Sequence, residues 1–138
     1  MAPPTLAVRD SRRVYKLPAN VRILVDDVDA AIAFSEVLGS AIAERWGPPF
    51  AIMRSGDLDL WVSGPGASAA KAIPDGSKPA PGGWNRIVLT VDDIAATVTS
   101  LTARGCTFRN EIIKRPGGSE VLVEDPAGNP IELFQPAT

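Results

Sequence analysis

The chain is poor in the side chains that most often carry out catalysis or hold metal ions. It has no histidine, one cysteine and one tyrosine among 138 residues. Cys106 therefore has no disulfide partner within the chain and no histidine to activate it, and we interpret it as a packing residue in a reducing compartment. The N-terminus also lacks the apolar core of a signal peptide. Together these absences predict a cytoplasmic protein.

Two further absences limit the partners. Lys and Arg number 14 against 16 Asp and Glu, a net charge of −2, so the chain has no basic surplus to hold nucleic acid through its phosphates or to bind an anionic membrane surface. No uninterrupted apolar run approaches the roughly 20 residues of a membrane-spanning helix. Apolar residues make up 45% of the chain, which is enough to build one compact soluble domain.

The most informative stretch lies at 122–134 and predicts a strand, a tight turn and a second strand. Pro126 presets a turn backbone, and the Gly128-Asn129 pair accepts positive φ angles. Glu132 stands between two apolar residues, so the period of two points it to the opposite face of the sheet. One carboxylate is thus displayed alone on that face, either on a solvated surface or in a site.

The rest of the chain alternates strand and helix signals around a Gly- and Pro-rich segment. An apolar strand at 21–25 leads into a helix that is capped by an Asp-Asp pair and ended by Gly39. Three further strands are predicted at 41–45, 50–54 and 58–62, and a strand at 84–91 precedes a second helix. The chain divides into an N-terminal arm at 1–18, a first module at 19–63, a linker loop at 64–83 and a second module at 84–138.

An internal repeat decides the predicted architecture. The residues Val-Asp-Asp-Val at 25–28 match Val-Asp-Asp-Ile at 91–94, and Gly39 matches Gly105 at the same offset of 66 residues. Further on, 58–61 mirrors 131–134. The chain is therefore predicted as an α+β fold of two βαβββ modules, which form a curved mixed sheet with a central hollow.

The repeat also predicts which side chains converge. A pseudo-twofold axis between the modules would make Asn20 equivalent to Arg86, and Asp59 equivalent to Glu132. We expect these four side chains to meet in the hollow of the sheet.

The repeated segments resemble the vicinal oxygen chelate superfamily, which includes glyoxalase I, extradiol dioxygenases and bleomycin-resistance proteins. The likeness is carried by Val-Asp-Asp-Val-Asp-Ala-Ala-Ile-Ala-Phe at 25–34, by 91–94, and above all by Glu-Asp-Pro-Ala-Gly-Asn-Pro-Ile-Glu-Leu-Phe at 124–134. It extends over roughly 18–136. The resemblance implies a homodimer with sites at or near the interface, and it does not specify an activity.

The resemblance also implies a metal site that this chain does not match. Metal-dependent members place His or Gln at the start of the first strand of each module and a carboxylate in each last strand. Carried over residue by residue, these positions are Asn20, Asp59, Arg86 and Glu132. Arg86 has no lone pair to donate and stays cationic. We therefore expect no metal site and no cofactor, and only a loose, water-mediated divalent ion such as Mg²⁺ as the alternative.

Several side chains are candidates for contacting a ligand in the hollow. Arg86 or Arg22 offers a fork for a carboxylate, phosphate or enolate-like oxygen, whereas Asp59 and Glu132 suit a cationic ligand. Trp61 and Phe134, with Trp84 and Trp46, would supply aromatic walls. The alternatives are an ion-pair group that closes the site, and aromatics that belong to the core. The predicted ligand-binding residues are Asn20, Arg22, Asp59, Trp61, Arg86, Glu132 and Phe134.

Three functions follow from these residues. The first hypothesis is a metal-free small-molecule binding protein, of the bleomycin-resistance type, that holds an aromatic ligand. The second is a lyase, isomerase or hydrolase with Glu132 or Asp59 as general base and Arg86 as partner of a developing oxyanion. The third is a structural or regulatory module with a vestigial hollow.

Overall fold

A computed structural model describes residues 14–138, and most of the predicted N-terminal arm, 1–13, lies outside the described residues. No helix within 14–138 is long and apolar enough to cross a membrane. The strands are β1 Val21–Leu24, β2 Ala41–Trp46, β3 Phe50–Ser55, β4 Leu58–Ser63, β5 Val88–Thr90, β6 Thr107–Phe108, β7 Ile113–Arg115, β8 Gly118–Glu124 and β9 Pro130–Pro136. The helices are α1 Val28–Val37 and α2 Ile94–Ala103, with a short 3-10 turn at Ser68–Ala70 in the linker loop.

The two helices begin and end as the repeat predicts. Asp27 caps α1 by accepting the Ala30 amide at 3.1 Å, and Asp93 caps α2 by accepting the Ala96 amide at 3.0 Å. After each helix the chain turns at a glycine with positive φ, Gly39 at 104° and Gly105 at 85°. The 66-residue offset is therefore a repeat of structure as well as of sequence.

The strands form two mixed sheets of matching topology. The first sheet has the order β1-β4-β3-β2, and the second has the order β5-β9-β8-β6 with β7 also paired to β8. In each sheet the strand before the helix runs parallel to the last strand of its module. The predicted α+β fold of two βαβββ modules is confirmed. The strand predicted at 84–91 is shorter than expected, because only Val88–Thr90 pair along β9.

The strand register corrects the predicted mirror between the modules. Arg22 and Val88 are equivalent by the 66-residue offset. Arg22 pairs with Trp61, whereas Val88 pairs with Glu132. Trp61 therefore occupies the place of Glu132 in the first module, and the prediction that Asp59 does so is wrong by two residues. A shift of two keeps every side chain on its own face, so the alternation of apolar and polar residues cannot reveal it.

The modules share their apolar interior through the faces that carry the helices. Phe34 of α1 and Leu38, the residue after the helix, pack against the core cluster of the second module, and Ile87 packs against the core clusters of both modules. Leu60 and Val62 of β4 lie in the first cluster, with 4% and 2% of their surface exposed. Because side chains alternate along a strand, the opposite face of each sheet is left open.

Candidate ligand-binding site

The open face of the first sheet carries a cluster of Arg22, Trp61, Phe50 and Ser63. The Arg22 guanidinium carbon lies 5.1 Å from the centre of the Trp61 ring and 5.9 Å from that of Phe50. The two rings meet edge to face at 88°, with centres 5.8 Å apart. These distances are within the range of cation–π attraction, so the rings and the guanidinium hold one another in place.

Ser63, on the neighbouring strand β4, holds the Arg22 side chain by a hydrogen bond. Its side chain is fully buried, and its hydroxyl oxygen accepts a hydrogen bond from Arg22 Nη1 at 2.9 Å. The same hydroxyl donates to the Trp61 carbonyl at 3.3 Å. The Ser63 hydroxyl thus accepts one hydrogen bond and donates another, which fixes its own orientation. The hydrogen bond to this fixed hydroxyl in turn restricts the rotation of the Arg22 guanidinium.

On the open face of the second sheet, Arg86 and Glu132 form an ion pair. Arg86 Nε and Nη2 both donate to Glu132 Oε1, at 3.0 and 2.9 Å, and Nη1 donates to the Trp84 carbonyl at 3.3 Å. The two side chains are 29% and 13% exposed. The structure therefore brings together two of the four side chains expected to converge, and it holds them as a partly buried pair.

Asp59 is engaged elsewhere. Arg54, which faces it across the β3–β4 pair, donates to both carboxylate oxygens at 2.8 and 2.9 Å. The hydrogen bonds from Arg54 lower the pKa of Asp59 below its usual range. A carboxylate with a lowered pKa is a weaker base, which argues against Asp59 as the general base.

The remaining predicted residues are placed as follows. Asn20 is exposed just before β1, and Phe134 is half-buried on the same face as Glu132. Trp84 is 69% exposed and covers the Arg109 guanidinium at 4.6 Å, so it packs on the turn region of its own module. Trp46 is 63% exposed at the end of the edge strand β2, and its indole donates to Glu44 at 2.9 Å.

Two clefts border the first strand. One has a volume of about 340 Å³ and lies between β1, the end of the linker loop and the approach to β5, and both Arg22 and Arg86 line it. No Asp or Glu lines this cleft; its other lining residues are apolar apart from Asn85 and Asn129. The second cleft, about 680 Å³, lies where the linker loop passes over the ends of β1 and β4.

Asn129 holds the walls of the smaller cleft together. Its amide nitrogen donates to the Leu24 carbonyl of β1 at 2.7 Å and to Asp125 at 2.9 Å, and its oxygen accepts the Gly82 amide at 2.7 Å. Burial raises the pKa of Asp125, while the hydrogen bonds from Asn129 and the turn amides oppose that rise. One side chain thus ties the first module, the linker loop and the final turn to one another.

A comparison with known protein families now decides the classification. The model of the Glyoxalase/Bleomycin resistance protein/Dioxygenase superfamily matches residues 18–133. The chain belongs to this superfamily. The resemblance predicted from the three sequence segments is confirmed. None of the curated protein sequences matches the chain.

Solved structures of the superfamily share the fold across nearly the whole chain. A lactoylglutathione lyase from Agrobacterium tumefaciens is 22% identical with a TM-score of 0.66, covering 89% of this chain and 96% of its own. A superfamily member from Sphaerobacter thermophilus DSM 20745 is 24% identical with a TM-score of 0.69, covering 89% and 99%. TnmS3, an antibiotic-binding protein from Streptomyces sp. CB03234, is 23% identical with a TM-score of 0.67, covering 91% and 100%.

The residues present do not fit the metal site of the metal-dependent superfamily members. By register, the four positions hold Asn20, Trp61, Arg86 and Glu132. Neither an indole nor a guanidinium donates a lone pair, and Glu132 already accepts two hydrogen bonds from Arg86. Among residues 14–138, no three Cys, Asp or Glu side chains are grouped so that they could hold an ion. An amide and one paired carboxylate are a poor donor set for any divalent metal.

Two members of the Arg22 cluster, Ser63 and Phe50, were not among the predicted site residues, although the sequence carries a signal for both. Ser63 lies two residues after Trp61 and so shares its face by the period of two. Phe50 faces Ser63 because the tight turn after Ser55 sets the β3–β4 register. Phe50 already opens the strand predicted at 50–54, and extending the strand predicted at 58–62 by one residue would have placed Ser63 opposite it.

Proposed function

We propose that the protein binds a small aromatic ligand without a metal ion, on the open faces of its paired modules. The observation that carries this proposal is the replacement of a carboxylate position by Trp61, which stacks with Arg22 beside Phe50. Such a cluster offers an aromatic surface and a fixed cation, which is the chemistry of a binding pocket rather than that of a metal centre.

The carboxylates of Asp59 and Glu132, on the open faces of the two sheets, support the same function. Asp59 accepts two hydrogen bonds from Arg54 and Glu132 accepts two from Arg86, so the negative charge that would attract a metal ion is already balanced on each carboxylate. The cleft of about 340 Å³ beside Arg22 has the size of a small-molecule site. The fold serves both binding and catalysis, since its solved neighbours include an antibiotic-binding protein and a lactoylglutathione lyase. Their identities of 22% and 23% establish the fold, and the ligand class is our inference.

Metal independence is tested by binding measurements with and without chelator. A panel of aromatic compounds is screened by equilibrium dialysis and by quenching of tryptophan fluorescence, and at least one compound is expected to saturate equally well in EDTA. Protein purified without added metal is expected to carry far less than one ion per chain by plasma mass spectrometry. Near-stoichiometric metal, or binding that EDTA abolishes, would contradict the proposal.

We also propose that the protein is a homodimer and that it acts in the cytoplasm. Val88 on the open face beside Glu132 is 52% exposed, and Val21 at the start of β1 is 38% exposed, so both have apolar surface for a second copy to cover. Light scattering is expected to give twice the chain mass, and a monomer would contradict the dimer. The free Cys106 supports the location, which cell fractionation tests.

A second candidate function rests on the Arg86–Glu132 pair. Both hydrogen bonds from Arg86 reach Oε1, and no hydrogen bond to Oε2 is formed within residues 14–138. That oxygen is free to accept a proton from a substrate while Arg86 faces a developing oxyanion, as a lyase, isomerase or hydrolase requires. Turnover that disappears in Glu132→Gln, with ligand binding and folding retained, would favour this enzyme over the binding protein.

A further inference from the structure

The charge of the ligand follows from the way the arginines are paired. Seven arginines lie within residues 14–138, and five of them form ion pairs with a carboxylate. In that part of the chain, Arg22 and Arg104 have no such partner. Both are exposed, but within residues 14–138 no ring and no hydrogen-bond partner orients the Arg104 guanidinium, whereas Arg22 lies against two aromatic rings and a buried serine. Arg22 is therefore the unneutralised cation of the candidate site.

The two carboxylates that β2 and β4 present on the same sheet face as Arg22 are already engaged. Asp59 is bound by both nitrogens of the Arg54 fork, and Glu44 accepts the Trp46 indole. The cleft that Arg22 lines is also lined by Arg86, and it has no Asp or Glu among its lining residues. Since the charge of Arg86 is balanced by Glu132, one full positive charge remains on the wall of the cleft.

The geometry of Arg22 also leaves its hydrogen-bonding capacity open. A guanidinium carries five N–H donors, and within the described residues Arg22 uses one of them, on Ser63. Stacking with Trp61 and the contact with Phe50 fix the plane of the group without using its other donors. A planar fork held in one orientation is suited to an oxyanion that lies beside an aromatic ring.

We propose that the ligand is an aromatic oxyanion, such as an aromatic carboxylate, whose charged group is bound by Arg22 while its ring lies against Trp61 and Phe50. This inference rests on the proposed function, since it names the chemical class of the ligand held by the same site. It opposes the cationic ligand that Asp59 and Glu132 suggested, because both carboxylates are occupied by arginines.

The test uses pairs of probes that differ only in charge. Benzoate, 2-naphthoate and 9-anthracenecarboxylate are each compared with the corresponding primary amide by equilibrium dialysis against the full-length chain. At least one acid is expected to bind about tenfold or more tightly than its amide, because hydrogen bonds to charged groups exceed neutral ones in strength. The preference is expected to shrink in high salt, since part of it is a screened charge interaction.

Two substitutions with the same change in net charge assign the preference to a residue. In Arg22→Gln the acid is expected to lose about tenfold or more in affinity while the amide is nearly unaffected. In Arg104→Gln both affinities are expected to stay within about twofold, because Arg104 neither lines the cleft nor contacts the aromatic rings. Arg22→Lys keeps the charge without the planar fork, so it is expected to bind the acid with intermediate affinity.

The outcomes separate this inference from the proposed function. If an amide binds as tightly as its acid, or if Arg22→Gln keeps the preference, the anion inference is wrong and the aromatic-binding function stands. If no acid and no amide binds, both are wrong for ligands of one to three rings. Thermal unfolding followed by circular dichroism checks that each variant is folded, and Arg22→Gln is expected to be so because its side chain is exposed.

Discussion

Replacing Asn129 with alanine is expected to lower the free energy of unfolding by about 3 kcal/mol, because three hydrogen bonds of a buried side chain are lost, each worth about 1 kcal/mol. The Asn129 side chain is almost fully buried, with 9% of the residue exposed. Its amide and oxygen bind Leu24, Asp125 and Gly82, at 2.7 to 2.9 Å. For a chain of this size the loss corresponds to a fall in melting temperature of roughly 10 °C.

The effect follows from where the partners of Asn129 lie. Leu24 belongs to β1 of the first module, and Gly82 ends the linker loop, so the side chain joins segments that are far apart in sequence. Alanine cannot replace either bond, and water reaches the buried position poorly. The variant is therefore expected to loosen the cleft beside β1 as well as to destabilise the fold.

The measurement is urea unfolding of Asn129→Ala, with Asn85→Ala as the matched control. Asn85 lines the same cleft but is exposed, so its loss is expected to change the free energy of unfolding by less than about 0.5 kcal/mol. A loss below about 1 kcal/mol for Asn129→Ala would show that the three hydrogen bonds do not join the modules as described.

Replacing Trp61 with alanine is expected to weaken the binding of any aromatic ligand by about 30-fold or more, since truncating an anchoring aromatic costs about 2 kcal/mol or more of binding energy. The ring forms a face of the candidate site beside Arg22, and the hydrogen bond to Ser63 continues to hold the guanidinium when the ring is removed. Acids and their amides are expected to be weakened alike, which distinguishes this variant from Arg22→Gln.

Two other variants provide the controls for Trp61→Ala. Trp61→Phe keeps an aromatic face and is expected to recover most of the affinity. Trp84→Ala removes an indole of equal size that packs on Arg109, away from the Arg22 cluster, so it is expected to leave binding nearly unchanged. If Trp61→Ala binds like the wild type, or if Trp84→Ala is equally impaired, the ligand does not lie on the Trp61 face.

The sequence determined the fold because its signals are local and occur twice. The Asp caps, the terminating glycines at 39 and 105 and the apolar spacing of both helices each specify a short segment, and the constant offset makes the two halves support each other. The Arg86–Glu132 pair was also within reach of the sequence, because the motif at 124–134 places Glu132 on the open face. The ligand-binding role of the predicted site residues stays a prediction.

Tertiary structure alone decided which residue of the first module stands opposite Glu132. The residues 58–60 read Leu-Asp-Leu and 131–133 read Ile-Glu-Leu, so the sequence favoured Asp59. The backbone pairing of β1 with β4 selects Trp61 instead. A slip of two residues preserves the inward and outward faces of a strand, and only the hydrogen-bonded register between strands distant in sequence distinguishes the two alignments. The same β1–β4 register brings Arg22 beside Trp61, whereas Phe50 reaches Trp61 through the local β3–β4 hairpin.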